Sequence, residues 1–283
     1  MAPIHDAIEA FDVAALRREL AAGVSPELAD ESDGDDDDGD CTPLYLAMIY
    51  ASASQESKLE ERVAMVASLL EAGAAVDARS NSRTALHAAV GCEAFGDIID
   101  MLLAANADVN AVDDDGESVL CTAAFWGSAA TVKKLISAGA RDLDNALVDA
   151  VSNGRLRNCA PLLRAGAALP AEEETDEILR TYESTNHPRR LAITRARTYI
   201  AKISGTPGGF KAYEREHRRR LTAVFANKFP ALPVEVISHI VLLWAHCGDY
   251  DYQDYALPRA EHWRMVSEQI ERERKAAAAD AEE

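Results

Sequence analysis

One phrase recurs four times along the chain, each time where a helical stretch runs out: Leu69-Leu70-Glu71-Ala72-Gly73-Ala74, Leu102-Leu103-Ala104-Ala105-Asn106-Ala107, Leu135-Ile136-Ser137-Ala138-Gly139-Ala140 and Leu162-Leu163-Arg164-Ala165-Gly166-Ala167. From Gly73 to Asn106 is 33 residues, and from Asn106 to Gly139 is 33 again. A fixed period of this length marks a one-dimensional array, in which each repeat buries its apolar face only against its neighbours. Gly73, Gly139 and Gly166 fall just past a helix, where a left-handed residue is needed, and Asn106 is the usual substitute for glycine there. Such arrays offer a long surface instead of an enclosed pocket, so no enzyme is expected.

Each closing phrase is preceded by an opening one: Thr42-Pro43-Leu44-Tyr45-Leu46-Ala47, Thr84-Ala85-Leu86-His87-Ala88-Ala89, Ser118-Val119-Leu120-Cys121-Thr122-Ala123 and a worn form, Asn145-Ala146-Leu147-Val148-Asp149-Ala150. The hydroxyls of Thr42, Thr84 and Ser118 can cap an inner helix. Leu44, Leu86, Leu120 and Leu147 begin its buried face, and paired alanines allow close helix approach. These openings and closings, in register over roughly residues 4–170, resemble the ankyrin repeat. The resemblance implies an all-α solenoid of helix-turn-helix repeats with short β-hairpin fingers, followed by a helical C-terminal region. It also implies that His87 ties its inner helix to the adjacent finger, a structural role.

About five repeats are expected within 1–170. The first has lost its opening turn, but Ile4-His5-Asp6-Ala7-Ile8 and Glu19-Leu20-Ala21-Ala22-Gly23 align with the two phrases, as an N-terminal cap. Gly23 to Gly73 spans 50 residues, and the excess divides between an acidic insertion near 30–40 and a polar insertion near 52–62. Gly139 to Gly166 spans only 27, so the finger between these repeats should be shortened or missing.

The net charge of −19 is unevenly spread. Residues 1–185 carry 35 acids and 13 bases, 186–229 carry 2 acids and 11 bases, and 230–283 carry 11 acids and 5 bases. An acidic chain repels nucleic acid and anionic membrane at long range, and the basic segment lacks the interleaved aromatics of base stacking. No run of eighteen apolar residues and no basic-then-apolar leader stands out, so a soluble protein of the cell interior is expected, cytoplasmic, with Arg218–Arg220 as a candidate nuclear-import signal. The five cysteines form no C-x-x-C pair and read as reduced thiols. Eight acids lie within Asp30–Asp40, but the sixth and twelfth places of a calcium loop counted from Asp33 hold Asp38 and Leu44, not Gly and Glu. No phosphate loop, nucleophile elbow or metal spacing is found, so no cofactor, metal or catalytic residue is expected.

In an ankyrin stack the end of the inner helix and the finger tips are free of packing duties. The resemblance therefore places a binding groove at Ile49, Tyr50, Cys92, Glu93, Phe125, Trp126, Ser152 and Asn153. Phe125 and Trp126 are the strongest pair, since large exposed aromatics make binding hot spots. Asp113, Asp114, Asp115 and Glu117 would add an acidic rim. The implied partner is another protein, with a basic or mixed-charge surface and an apolar anchor, bound by a monomeric scaffold.

After the array, 171–204 should hold capping and basic helices, 205–209 a Gly/Pro break, 210–275 a helical C-terminal domain and 276–283 a frayed acidic tail. Leu232-Pro233-Val234-Glu235-Val236-Ile237-Ser238-His239-Ile240-Val241-Leu242-Leu243-Trp244 resembles the first helix of an F-box and, less closely, that of a SOCS box. That resemblance implies an alternative function, the substrate receptor of a cullin-type ubiquitin ligase, with Leu232, Pro233, Val236, Ile240 and Trp244 recruiting the ligase. The residues themselves suit better a structural reading, in which Val236, Ile237, Ile240, Val241 and Trp244 form the core of a small helical domain with Phe210–Phe229.

Overall fold

A computed structural model describes residues 3–27, 41–49, 58–171, 189–230 and 232–244. The acidic insertion, Tyr50, most of the polar insertion, the segment after Ala171 and everything beyond Trp244 lie outside them, as do the side chains of Glu93, Ile240 and Trp244. The chain divides into two compact units, Met1–Tyr213 and Glu214–Glu283.

The first unit is a stack of helix pairs: α1 (Pro3–Glu9) with α2 (Val13–Ala21), α3 (Pro43–Ile49) with α4 (Leu59–Glu71), α5 (Ala85–Val90) with α6 (Gly96–Ala104), α7 (Val119–Trp126) with α8 (Ala129–Ser137), and α9 (Leu143–Ser152) with α10 (Leu156–Ala165). The inner helices stack in the order α1, α3, α5, α7, α9, while α2 packs on α4, α4 on α6 and α8 on α10. Their shared core is aliphatic and continuous, from Ile4 and Leu16 through Leu86, Ile98 and Leu120 to Leu147 and Leu162.

The recurring phrase has a direct backbone explanation. Gly23, Gly73, Asn106, Gly139 and Gly166 all have positive φ, 64° for Asn106 and 87–109° for the glycines. In each case the next residue's N–H reaches back five residues, Val24 to Glu19, Ala74 to Leu69, Ala107 to Leu102, Ala140 to Leu135 and Ala167 to Leu162, at 3.0–3.1 Å. The left-handed residue itself donates to the carbonyl three before it, so both bonds of a Schellman closure form. The paired leucines and the trailing alanine are thus the two ends of one hydrogen-bonded turn, and Ala107, Ala140 and Ala167 are buried there.

The first finger pairs β1 (Arg79–Ser80) with β2 (Arg83–Thr84), antiparallel, with Arg79 opposite Thr84. Its two turn residues, Asn81 and Ser82, have φ of 47° and 67°, the mirror-image turn that suits the twist of a hairpin. The second finger closes on a single bridge, Val112 to Ser118. Between α8 and α9 only residues 138–142 remain, with no strand pairing, so the finger is missing there. Thr84, Ser118 and Ser128 cap α5, α7 and α8 with their hydroxyls.

The polar stretch expected near 52–62 needs correction at its end. Leu59–Arg62 already belong to α4, and Arg62 is 1% exposed. It falls in phase with Val66 and Leu69 on the buried stripe, where its guanidinium lies between the rings of Phe11 and Phe95, 5.1 and 5.0 Å from their centroids, and donates to the Ala47 carbonyl. Burial lowers its pKa, partly opposed by the neighbouring Cys92.

The helix Arg189–Ser204 closes the stack, packing on α9 and α10 with Ala196, Tyr199, Ile200 and Ile203 buried in the same core. Gly154, with φ 67°, beds directly against it: a Cβ there would stand 2.6 Å from that of Ala192. The division between the two units falls inside the helix Gly209–Lys228. In the second unit Leu221, Ile237 and Val241 form a small buried cluster with Phe225, Ala226 and Phe229 against it. The arginines of its basic run are answered locally: Glu214 meets Arg218, and Glu216 meets Arg219 and Arg220, whose hydrogen bonds hold the Glu216 carboxyl down to about 2.

Candidate functional site

The inner-helix ends present very different side chains from repeat to repeat. Trp126 closes α7 at 47% exposure, and Ile49 closes α3 at 36%. Between them Gly91 follows α5, and a Cβ there would lie in ordinary contact with that of Trp126, at 3.6 Å. Phe125 is half-buried, its ring edge-on to Trp126 with centroids 4.7 Å apart. Cys92 is half-buried beside this row.

Trp126 is exposed in side chain but fixed in backbone. The last carbonyls of a helix have no partner within it. Here the fifth repeat supplies donors to them. Asn158 donates through Nδ2 to the Ala124 and Gly127 oxygens at 2.9 and 3.2 Å, Arg155 donates Nε to Phe125 O and Nη2 to Trp126 O, both at 3.1 Å, and Asn153 donates to Phe125 O. A cation at the C-terminal end also suits the helix dipole. The turn is tight as well: a Cβ on Gly127 would stand 2.5 Å from Val90 O and 2.8 Å from Ala123 O.

This cap takes up one of the expected groove residues, Asn153, while Ser152 stays half-buried beside it. Asn153 is 7% exposed with its amide engaged on α7, and the Ser152 hydroxyl donates to Val148 O of its own helix at 2.7 Å. The reason is the backbone accounting of the preceding repeat, which needs buried donors where a partner was expected to bind.

Of the four residues of the acidic rim, Asp113 is buried and the others are exposed. Asp113 is 5% exposed: its Oδ1 accepts the N–H groups of Asp115 and Glu117 at 3.1 and 2.8 Å, and its Oδ2 accepts Arg83 Nε at 3.1 Å. Burial opposes its ionisation, but the Glu117 N–H and Arg83 outweigh it and hold the carboxyl below the usual carboxylate range. Asp114 takes Arg79 at 2.8 Å and the Ser82 hydroxyl at 2.6 Å, and Arg79 also donates to Val112 O. Arginines of the first finger therefore neutralise acids of the second, locking finger to finger. Asp114, Asp115 and Glu117 stay exposed. His87 belongs to the same lock, with Nδ1 2.9 Å from Thr84 Oγ1; burial lowers its pKa, while the neighbouring Glu117 backbone and Asp113 act against that.

A further group of acids had no sequence signal beyond composition. Cys121 Sγ donates to Asp142 Oδ2 at 3.3 Å, and Ser118 Oγ donates to the same oxygen at 3.1 Å. Asp149 of α9 also meets the Cys121 thiol; burial and the charges of Glu117 and Asp142 raise its pKa. Burial likewise pushes the Cys121 thiol up, so it is a poor nucleophile.

In the second unit Leu232 and Val236 are 41% and 44% exposed and Pro233 is exposed, while Ile237 and Val241 supply the buried face. No helix among the described residues is long and apolar enough to cross a membrane.

Comparison with known proteins bears on the array. No curated protein matches the sequence. The ankyrin-repeat family model matches residues 81–114, from the turn of the first finger through α5 and α6 to the second finger. Residues 81–114 are an ankyrin repeat, and the paired helices and short β-hairpin around them have the architecture of ankyrin repeats, modules that generally bind proteins.

Proposed function

We propose that the first unit is a non-catalytic scaffold that binds a partner protein along its inner-helix ends, with Trp126 as principal anchor. The observation that carries this reading is an indole 47% exposed on a backbone held by three side chains of the next repeat. Preorganisation of this kind removes ordering costs from binding. Burying the exposed half of an indole, roughly 120 Å², is worth roughly 3 kcal/mol, the scale of a hot spot. Phe125 borders it, and Cys92 and Ile49, at the ends of the two preceding inner helices, would be secondary contacts farther along the row.

The test is capture of partners from source-cell lysate by the parent chain and by Trp126→Ala, identified by mass spectrometry. Selective loss of captured proteins from the variant, with unchanged circular dichroism, supports the scaffold. An identical set removes the groove.

The exposed Leu232, Val234 and Val236 favour a second reading, in which the second unit recruits a ubiquitin ligase through an F-box-like helix. Capture of a cullin complex by the parent but not by Val234→Asp/Val236→Asp supports it; equal capture, or none, rejects it.

A further inference from the structure

We infer that docking of the helix Arg189–Ser204 and fixation of Trp126 form one linked equilibrium, carried by Asn153, Gly154 and Arg155, so that whatever lifts this helix off the stack weakens the groove. This rests on the groove reading above and adds a means of regulating it.

Three consecutive residues serve two contacts. α9 closes on a left-handed turn: Gly154, at φ 67°, donates to Val151 O at 3.0 Å, and the Arg155 N–H reaches back to Ala150 O at 2.7 Å. That turn fixes where its flanking side chains go. Asn153 before it donates to Phe125 O, and Arg155 after it donates Nε to Phe125 O and Nη2 to Trp126 O, both at 3.1 Å. Gly154 itself carries the helix Arg189–Ser204, since a Cβ there would stand 2.7 Å from both Ala192 C and Ile193 N. The backbones meet with no slack.

Each contact brings its own stabilisation. The helix buries Ile193, Ala196, Tyr199, Ile200 and Ile203, while Asn153 and Arg155 satisfy carbonyls that α7 cannot pair within itself. A glycine released from its bed has the widest backbone freedom of any residue, so loss of the helix loosens the turn and the two donors beside it. Linkage of this kind is reciprocal. A partner covering Trp126 must tighten the helix by the same factor by which the helix tightens the groove.

Amide exchange read by mass spectrometry on the full chain tests the linkage without a partner. Ala192→Val crowds Gly154 from the helix side and leaves residues 153–155 chemically intact; Ile200→Asp unseats the helix from the core and decides the matter if Ala192→Val leaves it seated. Exchange over 189–204 and over 119–127 should speed up about fivefold or more together, while 85–104 keeps parent rates. Conversely, Arg155→Met, which removes the donors to Phe125 and Trp126, should speed exchange over 189–204. Lysate proteins whose capture needs Trp126 should be captured less by the unseated variant. A helix that loosens while 119–127 keeps parent rates, acceleration that spreads equally over 85–104, or Trp126-dependent capture that the unseated variant retains in full each overturn this inference and leave the groove standing. Linked exchange with capture indifferent to Trp126→Ala supports the linkage and overturns the groove reading alone.

Discussion

Replacing Asn158 with alanine should destabilise the stack through one hydrogen-bond cap. Asn158 is 2% exposed on α10, and its amide N–H groups meet Ala124 O at 2.9 Å and Gly127 O at 3.2 Å. A third approach, to Ala123 O at 3.5 Å, is at the limit of a hydrogen bond, and an amide has only two hydrogens, so two bonds are counted. Each such bond contributes about 1 kcal/mol net, and a buried carbonyl left without a donor costs about 1–3 kcal/mol. The expected loss is about 2–4 kcal/mol, a sizeable share of the roughly 5–15 kcal/mol typical of a folded domain. With a urea slope of about 2 kcal/mol/M, the midpoint should fall by about 1–2 M. Asn158→Asp should lose more, because a carboxylate would point acceptor against acceptor. The measurement is equilibrium urea unfolding by circular dichroism, with amide exchange on α7 and α9 to locate the effect. A midpoint within about 0.2 M of the parent, or an Asp variant milder than Ala, refutes the cap and with it the reason Trp126 is held still.

Arg62→Lys should cost about 1–3 kcal/mol, because an ammonium cannot stack flat between Phe11 and Phe95 while reaching Ala47 O; thermal unfolding measures it, and parent-like stability would deny the sandwich. Gly154→Ala should strip protection from the helix Arg189–Ser204, since the new Cβ meets Ala192 at 2.6 Å and φ is 67°; faster proteolysis and amide exchange there are the readout, and an unchanged pattern contradicts the packing. Asp113 is held below the usual range, so its stabilisation is complete above about pH 4 and drains away as pH falls through its lower folded value. Thermal midpoints of the parent should therefore drop more steeply than those of Asp113→Asn as pH falls below about 4, and parallel curves would show the finger lock to be energetically idle.

The array itself is legible in the chain because its signals are local. A leucine pair and a trailing alanine belong to the same Schellman turn, so Asn106 can be equated with Gly73 without any tertiary knowledge, and the backbone agrees. The missing finger follows from spacing alone. What stays hidden are contacts set by the neighbouring repeat. Asn153 reads as a free groove residue, yet the demand it meets, the unpaired carbonyl of Phe125, lies 28 residues away. Asp113 reads as rim until Arg83, 30 residues earlier, is placed beside it. Arg62 and Asn158 do leave a trace: each occupies an apolar phase of its helix, four residues before Val66 and Leu162, where a polar residue has to find partners.

The caps that the fifth repeat lends to α7 give the stack a direction. A fragment ending at Ala140 would contain the whole fourth repeat, yet the carbonyls of Ala124, Phe125, Trp126 and Gly127 would lose the donors Asn153, Arg155 and Asn158. Keeping Trp126 in its native setting requires α9 and α10, and because Gly154 beds on Ala192, it requires the helix Arg189–Ser204 as well. At this end, what resembles a string of interchangeable beads is a single indivisible piece.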